Sequence, residues 1–591
     1  MPAPGRGSRL PRGHALGLLQ QLVRSSPIRR AWPFAALVVV ALLVWAPTLT
    51  IAHVGQSYDY NLSWSAQFSR AFEQGDLYPR WTAGSFEGLG SPTFYFYPPL
   101  AFWVAGLIGV VTGAITSADL QLKLAELVFF AASGWSMFLW LRFHTSTGRA
   151  LVGALVFVMA PYHVYDHYLR GDLTEFSAIT FIPLVALGLA ATARGDRLAP
   201  ILLAGSWAAL IFAHLPMALL TAVFLIAPYG ALLLLGARDG RPARLARWAG
   251  ALAAGTGLAA VYLAPALGLQ GFISAEFWRG AGFQASRHLF SNPAVWRTSP
   301  LESFLAVISL VEALVAAAAG WLAWRAGDRR SLFWAGLAVA VFLMTAGVAP
   351  AFWSLPILSE VQFPWRAMAL QDFALVTLLA AAPAGARMSL PYVAFALLAV
   401  ANLYVVGRDF TAGPRVVQTS PWLASFPADT DPPEYLPHGM LRMTRDGPAP
   451  AVPGLSALPL VAGAVGARSD PVTGAIWLRR PVGAAGPVTV RRFYFPSWQA
   501  RCDGRDVVVA PVSAARLVGF TPPPGARSCR AFVGRTAEER LGGAIALTSL
   551  ALLCLYALWA GGLLAGLSPR RYPRPGADDP APVAGAARPI R

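Results

Sequence analysis

Three segments near the start of the chain hold side chains suited to chemistry: Ser57-Tyr-Asp-Tyr-Asn-Leu-Ser-Trp64, Gly75-Asp-Leu-Tyr-Pro-Arg-Trp81 and Gly88-Leu-Gly-Ser-Pro-Thr-Phe-Tyr-Phe-Tyr-Pro-Pro-Leu100. Asp59 follows the apolar run 33–52 by a few residues, which sets a carboxylate among tyrosines and tryptophans that favour a bilayer interface. A partly desolvated carboxylate of this kind can act as a general base toward a hydroxyl. Arg80, Arg170, Arg287 and Arg366 are guanidinium donors of the type that grips a phosphate or another anionic leaving group, and His288 stands beside Arg287 in the same outer segment. Asp172 and Glu175 lie three apart, so one helical face can present both to sugar hydroxyls or to a divalent cation.

Each residue also has a plainer use. Asp59 can cap a surface helix or pair with Arg80, Arg170 can form a structural ion-pair and cap cluster with Asp172 and Glu175, and Arg366 in Phe-Pro-Trp-Arg can snorkel at the start of a span. His163 and His167, four apart, have the spacing for a metal on a helix face or for hydrogen bonding beside the tyrosines. Lys123 and Glu126 are expected to neutralise one another. Glu312, inside an apolar run, is a functional candidate by its position alone.

The elements that must position these side chains are membrane helices. The chain has 591 residues, 56% of them hydrophobic and only 13% charged, which excludes an ordinary soluble protein. The formal charge of +18 comes from arginines gathered between apolar runs and in the tails, as the positive-inside rule requires, so nucleic acid is not an expected partner. Twelve apolar runs are expected to span: about 33–53, 121–141, 149–164, 174–192, 198–214, 217–236, 246–268, 303–324, 331–350, 367–386, 388–407 and 541–566. With the basic tail 1–32 in the cytoplasm, the Arg-bearing loops and the tail 567–591 all fall on that side, and both termini are cytoplasmic. The apolar stretch 99–116 would reverse this parity if it crossed, so it is expected to be re-entrant or surface-lying within one long outer loop, 54–120.

The segments richest in ionisable and aromatic residues then share the outer face. The segment 408–540 differs in texture: short alternating runs such as Val488-Thr-Val-Arg-Arg-Phe-Tyr-Phe495, separated by Pro and Gly, predict an extracytoplasmic β-sandwich-like insert between the domain 33–407 and the last span. Cys502 and Cys529 lie in it, in a compartment that favours disulfides, though spacing alone leaves their pairing open. Cys554 is expected to be a small buried residue of the last span.

The motifs Leu77-Tyr-Pro-Arg-Trp81, Gly90-Ser-Pro-Thr-Phe-Tyr-Phe-Tyr-Pro-Pro-Leu100, Tyr168-Leu-Arg-Gly-Asp-Leu-Thr-Glu-Phe176, Val361-Gln-Phe-Pro-Trp-Arg366 and Tyr494-Phe-Pro-Ser-Trp-Gln-Ala-Arg-Cys-Asp-Gly504, in this order over nearly the whole chain, resemble the bacterial membrane family labelled "6-pyruvoyl-tetrahydropterin synthase-related". That family is similar in layout to the polyprenyl-phosphate-dependent glycosyltransferases of the C-type (GT-C) membrane fold and to YfhO-like proteins with an outer β domain and a closing span. The resemblance implies a multi-pass enzyme of the bacterial inner membrane, a lipid-linked sugar donor, a glycan, lipid or protein acceptor, and an essential acid in the first outer loop, where Asp59 matches. A paired-acid motif is missing there, so the resemblance leaves metal dependence and the identity of the base open.

Two other classes compete. A non-catalytic glycan-binding or assembly partner of the cell envelope would account for the β domain and leave Asp59 dispensable. A transporter of lipid-linked sugar would place polar residues along a path through the bilayer and show internal repeats, and neither is evident. The chain has no Gly-Lys-Ser/Thr phosphate loop, no nucleophile elbow and no zinc-type Cys/His spacing, which disfavours nucleotide-driven transport, serine hydrolysis and structural zinc.

Overall fold

The computed structural model describes residues 27–49, 57–237, 239–383, 388–412, 432–444, 447–450, 454–481 and 486–561. The C-terminal tail and most of the N-terminal tail lie outside these. Among the described residues all twelve apolar runs are helical, and nine helices are long and apolar enough to cross a membrane: Ala31–Leu49, Ala118–Arg142, Thr147–Arg170, Leu173–Ala193, Leu215–Leu235, Pro300–Arg325, Arg329–Ala346, Ser389–Arg408 and Ala537–Ala560. The protein is a multi-pass α-helical membrane protein.

The other three runs depart from the expected pattern for physical reasons. The run 246–268 breaks into Arg241–Leu258 and Ala260–Gly268, bent by 67°. Ala199–Ala213 has 15 residues and Met368–Ala381 has 14, and at about 1.5 Å per residue neither alone matches a hydrocarbon layer of about 30 Å. Met368–Ala381 is buried along almost its whole length, so neighbouring helices, not lipid, provide its apolar surroundings. The stretch 99–116 forms Leu100–Thr112, also too short to cross, packed against the helix Tyr58–Glu73 of the first loop and the span Ala118–Arg142.

The C-terminal β region contains a hairpin and two antiparallel sheets. The four-stranded sheet runs in the order Val461–Ala462, Val488–Phe493, Leu517–Phe520, Val509–Val512. The five-stranded sheet runs Gly466–Ser469, Ile476–Arg479, Ser528–Val533, Trp498–Cys502, Arg505–Val507. Residues of Trp498–Cys502 alternate between buried and exposed, the mark of a strand with one face in a core. Cys502 and Cys529 are directly opposite in register and are joined in a disulfide. Cys554, expected to be buried, is exposed on the surface of the last helix, which lies mostly on the outside of the bundle.

The aromatic segment of the first loop is not an interfacial belt. Trp64, Phe94, Tyr95 and Phe102 are buried in a second core that the loop shares with the β sheets. Trp81 meets Trp498 edge to face at 5.4 Å, Phe86 meets Phe493 at 5.8 Å and Tyr95 meets Phe495 at 4.7 Å. Phe493 N–H donates to the Leu89 carbonyl at 2.8 Å. Gly90, at φ +82°, lies so close to the Trp81 ring that a Cβ there would stand 2.4 Å from it. Ring pairs of this edge-to-face kind add about 0.5–1.5 kcal/mol beyond the burial of their area, which favours a packed core for this loop. The last helix is seated by Gly542, where a Cβ would come 2.3 Å from the Ala260 carbonyl.

Candidate active site

The segment Pro161–Phe176 reverses direction in a few residues. Asp166–Arg170 forms a π-helical turn, Gly171 takes the left-handed conformation at φ 58°, and Asp172 caps the next helix by accepting from Glu175 N–H at 3.2 Å. This reversal gathers Asp166, Arg170, Asp172 and Glu175. Arg170 donates to Asp166 Oδ1 at 2.9 Å, to Asp172 Oδ2 at 3.4 Å and to Glu175 Oε2. Arg366 arrives from the other end of the sequence and donates through Nε to the same Glu175 oxygen at 2.8 Å, and through Nη1 to the Val361 carbonyl at 2.8 Å. The Tyr162 hydroxyl donates to the other Glu175 oxygen. Glu175, fully buried, thus holds two guanidiniums and a phenol.

Arg366 is presented by an unusual backbone. Gln362 has φ +63° and ψ −58°, and Phe363 N–H donates to the Val361 carbonyl at 2.7 Å, a γ-turn of the strained hand. The Trp365 ring lies under Arg170, 4.6 Å from its guanidinium carbon. Arg170 Nε and Trp365 Nε1 are buried N–H donors with no partner among the described residues. Burial pushes the Asp172 carboxyl up, but Arg170, with His214 and Arg366, outweighs it and holds the group below the ordinary carboxylate range.

The first loop is fastened to this reversal. Ser57 N–H donates to the Arg170 carbonyl at 3.0 Å and Asn61 Nδ2 to the Gly171 carbonyl at 2.8 Å. Asp59, the second residue of the helix Tyr58–Glu73, lies between these two anchors, and its side chain is outside the described residues. From the same loop the Tyr97 hydroxyl stands 3.3 Å from Thr174 Oγ1, which in turn donates to Asp172 Oδ1 at 2.7 Å.

The remaining candidates are placed differently. Arg80 pairs through Nε with Glu539 at 2.9 Å and donates to the Val261 carbonyl at 2.7 Å, so it ties the first loop to the last helix and shares no contact with Arg170 or Arg366. Arg287 is exposed and forms no ion pair among the described residues. His288 is held by Glu302 at 2.7 Å and the Gly282 carbonyl at 2.9 Å, with its ring on Phe363 at 4.6 Å, which places it beside the strained turn. Lys123 pairs with Asp119 at 2.9 Å, one helical turn back. His163 and His167 pack on Phe176 and Phe130 and do not form a ligand set among the described residues.

Asp172, Glu175 and His214 offer ligand atoms within 4.8 Å of one another, the geometry of a cation site. Most of their acceptor capacity is already engaged: Glu175 accepts from Arg170, Arg366 and Tyr162, Asp172 from Thr174, Arg170 and a backbone N–H, and His214 Nδ1 from Met217 N–H at 3.2 Å. With two guanidiniums in place, this set does not fit a divalent cation. His214 was not singled out by sequence because a histidine before Leu-Pro reads as a helix start and nothing more. Asp372 was hidden inside an apolar run; it lies beside Glu312 within the bundle and accepts from Tyr162 N–H at 3.1 Å.

No protein-family model and no curated protein matches the chain. The chain is similar to parts of solved glycosyltransferases. The mycobacterial arabinofuranosyltransferase AftD is 19% identical with a TM-score of 0.40, over 66% of this chain and 27% of that one. A mutant form of the same enzyme gives 20%, 0.39, 64% and 27%. The apo oligosaccharyltransferase of Archaeoglobus fulgidus is 14% identical with a TM-score of 0.41, over 69% of this chain and 61% of that one. The match thus spans only about a quarter of the length of the arabinofuranosyltransferase.

Proposed function

We propose that the protein is a membrane glycosyltransferase that moves a sugar from a polyprenyl-phosphate donor to a glycan, lipid or protein acceptor on the outer face of the bacterial inner membrane, with both termini in the cytoplasm. The observation that carries this reading is the pair of buried guanidiniums at the helix ends, with unpartnered N–H donors on Arg170 and Trp365, beside the loop that bears Asp59. Buried donors without acceptors are rare and suit the oxygens of a phosphate.

In this reading Asp59 takes the proton of the acceptor hydroxyl as its oxygen attacks the anomeric carbon. The bond from that carbon to the phosphate oxygen breaks, its electron pair stays with the phosphate, and the anomeric configuration inverts. Arg170 and Arg366 stabilise the charge that develops on the leaving phosphate, in surroundings where such donors are worth most. Glu175 is a positioning residue that fixes both guanidiniums. Asp172 and Thr174, coupled to Tyr97, meet sugar hydroxyls. The transferred sugar is activated by its phosphate, so no nucleotide is needed outside the cell.

One observation favours a second reading, the non-catalytic envelope partner: every charged member of the cluster is less than a tenth exposed, as in a structural keystone. Transfer of labelled sugar in membranes carrying wild type or Asp59→Asn, matched for expression and thermal stability, separates the two. The enzyme reading expects transfer that the substitution reduces at least a hundredfold; transfer untouched by Asp59→Asn removes the base assignment.

A further inference from the structure

A cavity lies apart from this network, where the first loop meets the β region. It encloses about 490 Å³, within the range of about 300–1,000 Å³ usual for small-molecule sites. Its walls come from three distant stretches of sequence: Gln67 and Arg70 on the outer-loop helix, Glu87 and Gly88 on the loop that follows, and Ser469 with Arg492 on two strands.

The cavity is a built site. Arg492 is buried, donates through Nη2 to Ser469 Oγ at 2.6 Å and through Nη1 to the Gly88 carbonyl, and leaves Nε without a partner. Burial, with Arg491 beside it, lowers Arg492 to about 10, so it is still a cation at neutral pH. Gln67 spends its oxygen on Gly84 N–H at 2.8 Å and leaves its amide Nε2 buried and unpartnered. Arg70 is exposed at the mouth. On the facing loop Phe86 and Glu87 have φ of 50° and 55°, an unfavourable conformation for two consecutive non-glycine residues, and it is this turn that brings Glu87 to the cavity wall.

Two cations stand against one carboxylate, and two buried N–H groups want acceptors. A ligand that answers them is rich in oxygen and carries negative charge, while Glu87 and Ser469 accept from hydroxyls. Ala83, Pro471 and Val472 supply the apolar remainder of the wall, as the carbon face of a sugar ring requires. We infer that this cavity binds an acidic saccharide of one or two rings, as the recognition site for a uronic-acid-bearing acceptor. The assignment to an acceptor rests on the transferase reading, whereas the site itself does not.

Binding to the full-length protein in nanodiscs, measured by isothermal titration with digalacturonate, maltose and inorganic phosphate, tests it. Digalacturonate is expected to bind at least tenfold more tightly than maltose or phosphate. Gln67→Glu, which keeps the oxygen for Gly84 and removes the free donor, is expected to weaken it at least tenfold, and Arg70→Gln at least threefold, both without loss of thermal stability. Failure of digalacturonate to bind, or binding unchanged in both variants, overturns the site; phosphate binding as tightly as digalacturonate overturns the saccharide assignment. Binding without any sugar transfer by the same sample keeps the site and overturns the transferase reading, and transfer without binding does the reverse.

Discussion

Removing the charge of Glu175 tests the central network most sharply, because its two arginines are not equally dependent on it. Arg170 keeps Asp166 at 2.9 Å and Asp172 at 3.4 Å when Glu175 becomes glutamine, whereas Arg366 loses its only carboxylate among the described residues and is left with neutral acceptors, the Val361 carbonyl and the glutamine amide oxygen. Both Glu175 and Arg366 are buried, so the orphaned guanidinium is costly: breaking such a pair from one side removes about 3–5 kcal/mol. Arg366→Met alone is milder. Glu175 then keeps Arg170 and Tyr162, and the loss is one charged hydrogen bond of about 1.5–3 kcal/mol. The double variant Glu175→Gln/Arg366→Met no longer contains the orphan and is expected to be more stable than Glu175→Gln alone. Reversible unfolding of the four proteins in mixed micelles measures the cycle. Strict additivity, with the double variant losing the sum of the singles, would refute the claim that Arg366 depends on Glu175.

Three further outcomes are expected. Replacing Cys502 and Cys529 by alanine opens a loop of sequence separation 27 and is expected to cost the β region about 3 kcal/mol, read as faster proteolysis between residues 441 and 533 in the unreduced protein. Gly90→Ala forces a Cβ against the Trp81 ring at a positive φ and is expected to cost about 2 kcal/mol or more, with altered tryptophan fluorescence from the Trp81–Trp498 contact; unchanged fluorescence and stability would contradict the packing described. Burial, with Arg194 and Arg330 nearby, holds the loop residue His144 down at about 3 in the folded protein. Because the unfolded chain takes up this proton first, the stability it contributes is present above about pH 6.5 and falls as pH drops toward 3, on the order of 1–2 kcal/mol by pH 5. His144→Gln is expected to flatten that slope, and an unchanged slope would refute the assignment.

Much of this architecture was legible in the sequence. Each apolar run became a helix because length and hydropathy report directly on what lipid or a buried core accepts, and alternation in Val488–Phe493 and Trp498–Cys502 reported strands for the same reason. The cluster of Arg170, Asp172 and Glu175 was readable from spacing, whereas Asp166 was not singled out although its place four residues before Arg170 is the same signal. What spacing could not supply was contact across the fold. Arg366 reaches Glu175 from 191 positions away, Arg80 finds Glu539 and not a phosphate-sized gap, and Asp372 meets Glu312 from within a run that looked merely apolar. The first-loop aromatics misled for a related reason: tyrosine and tryptophan serve an interface and a core equally well, and only the docked β sheets decide between them.

The most direct test of the central claim is radiolabelled sugar transfer by the purified wild-type protein in liposomes supplied with a panel of polyprenyl-phosphate sugars. The account predicts transfer from at least one donor with release of polyprenyl phosphate, reduced at least a hundredfold by Asp59→Asn in an equally stable protein. Absence of transfer from every donor and acceptor offered, in protein that is folded and binds saccharide, would contradict it and leave the non-catalytic envelope partner as the function of this chain.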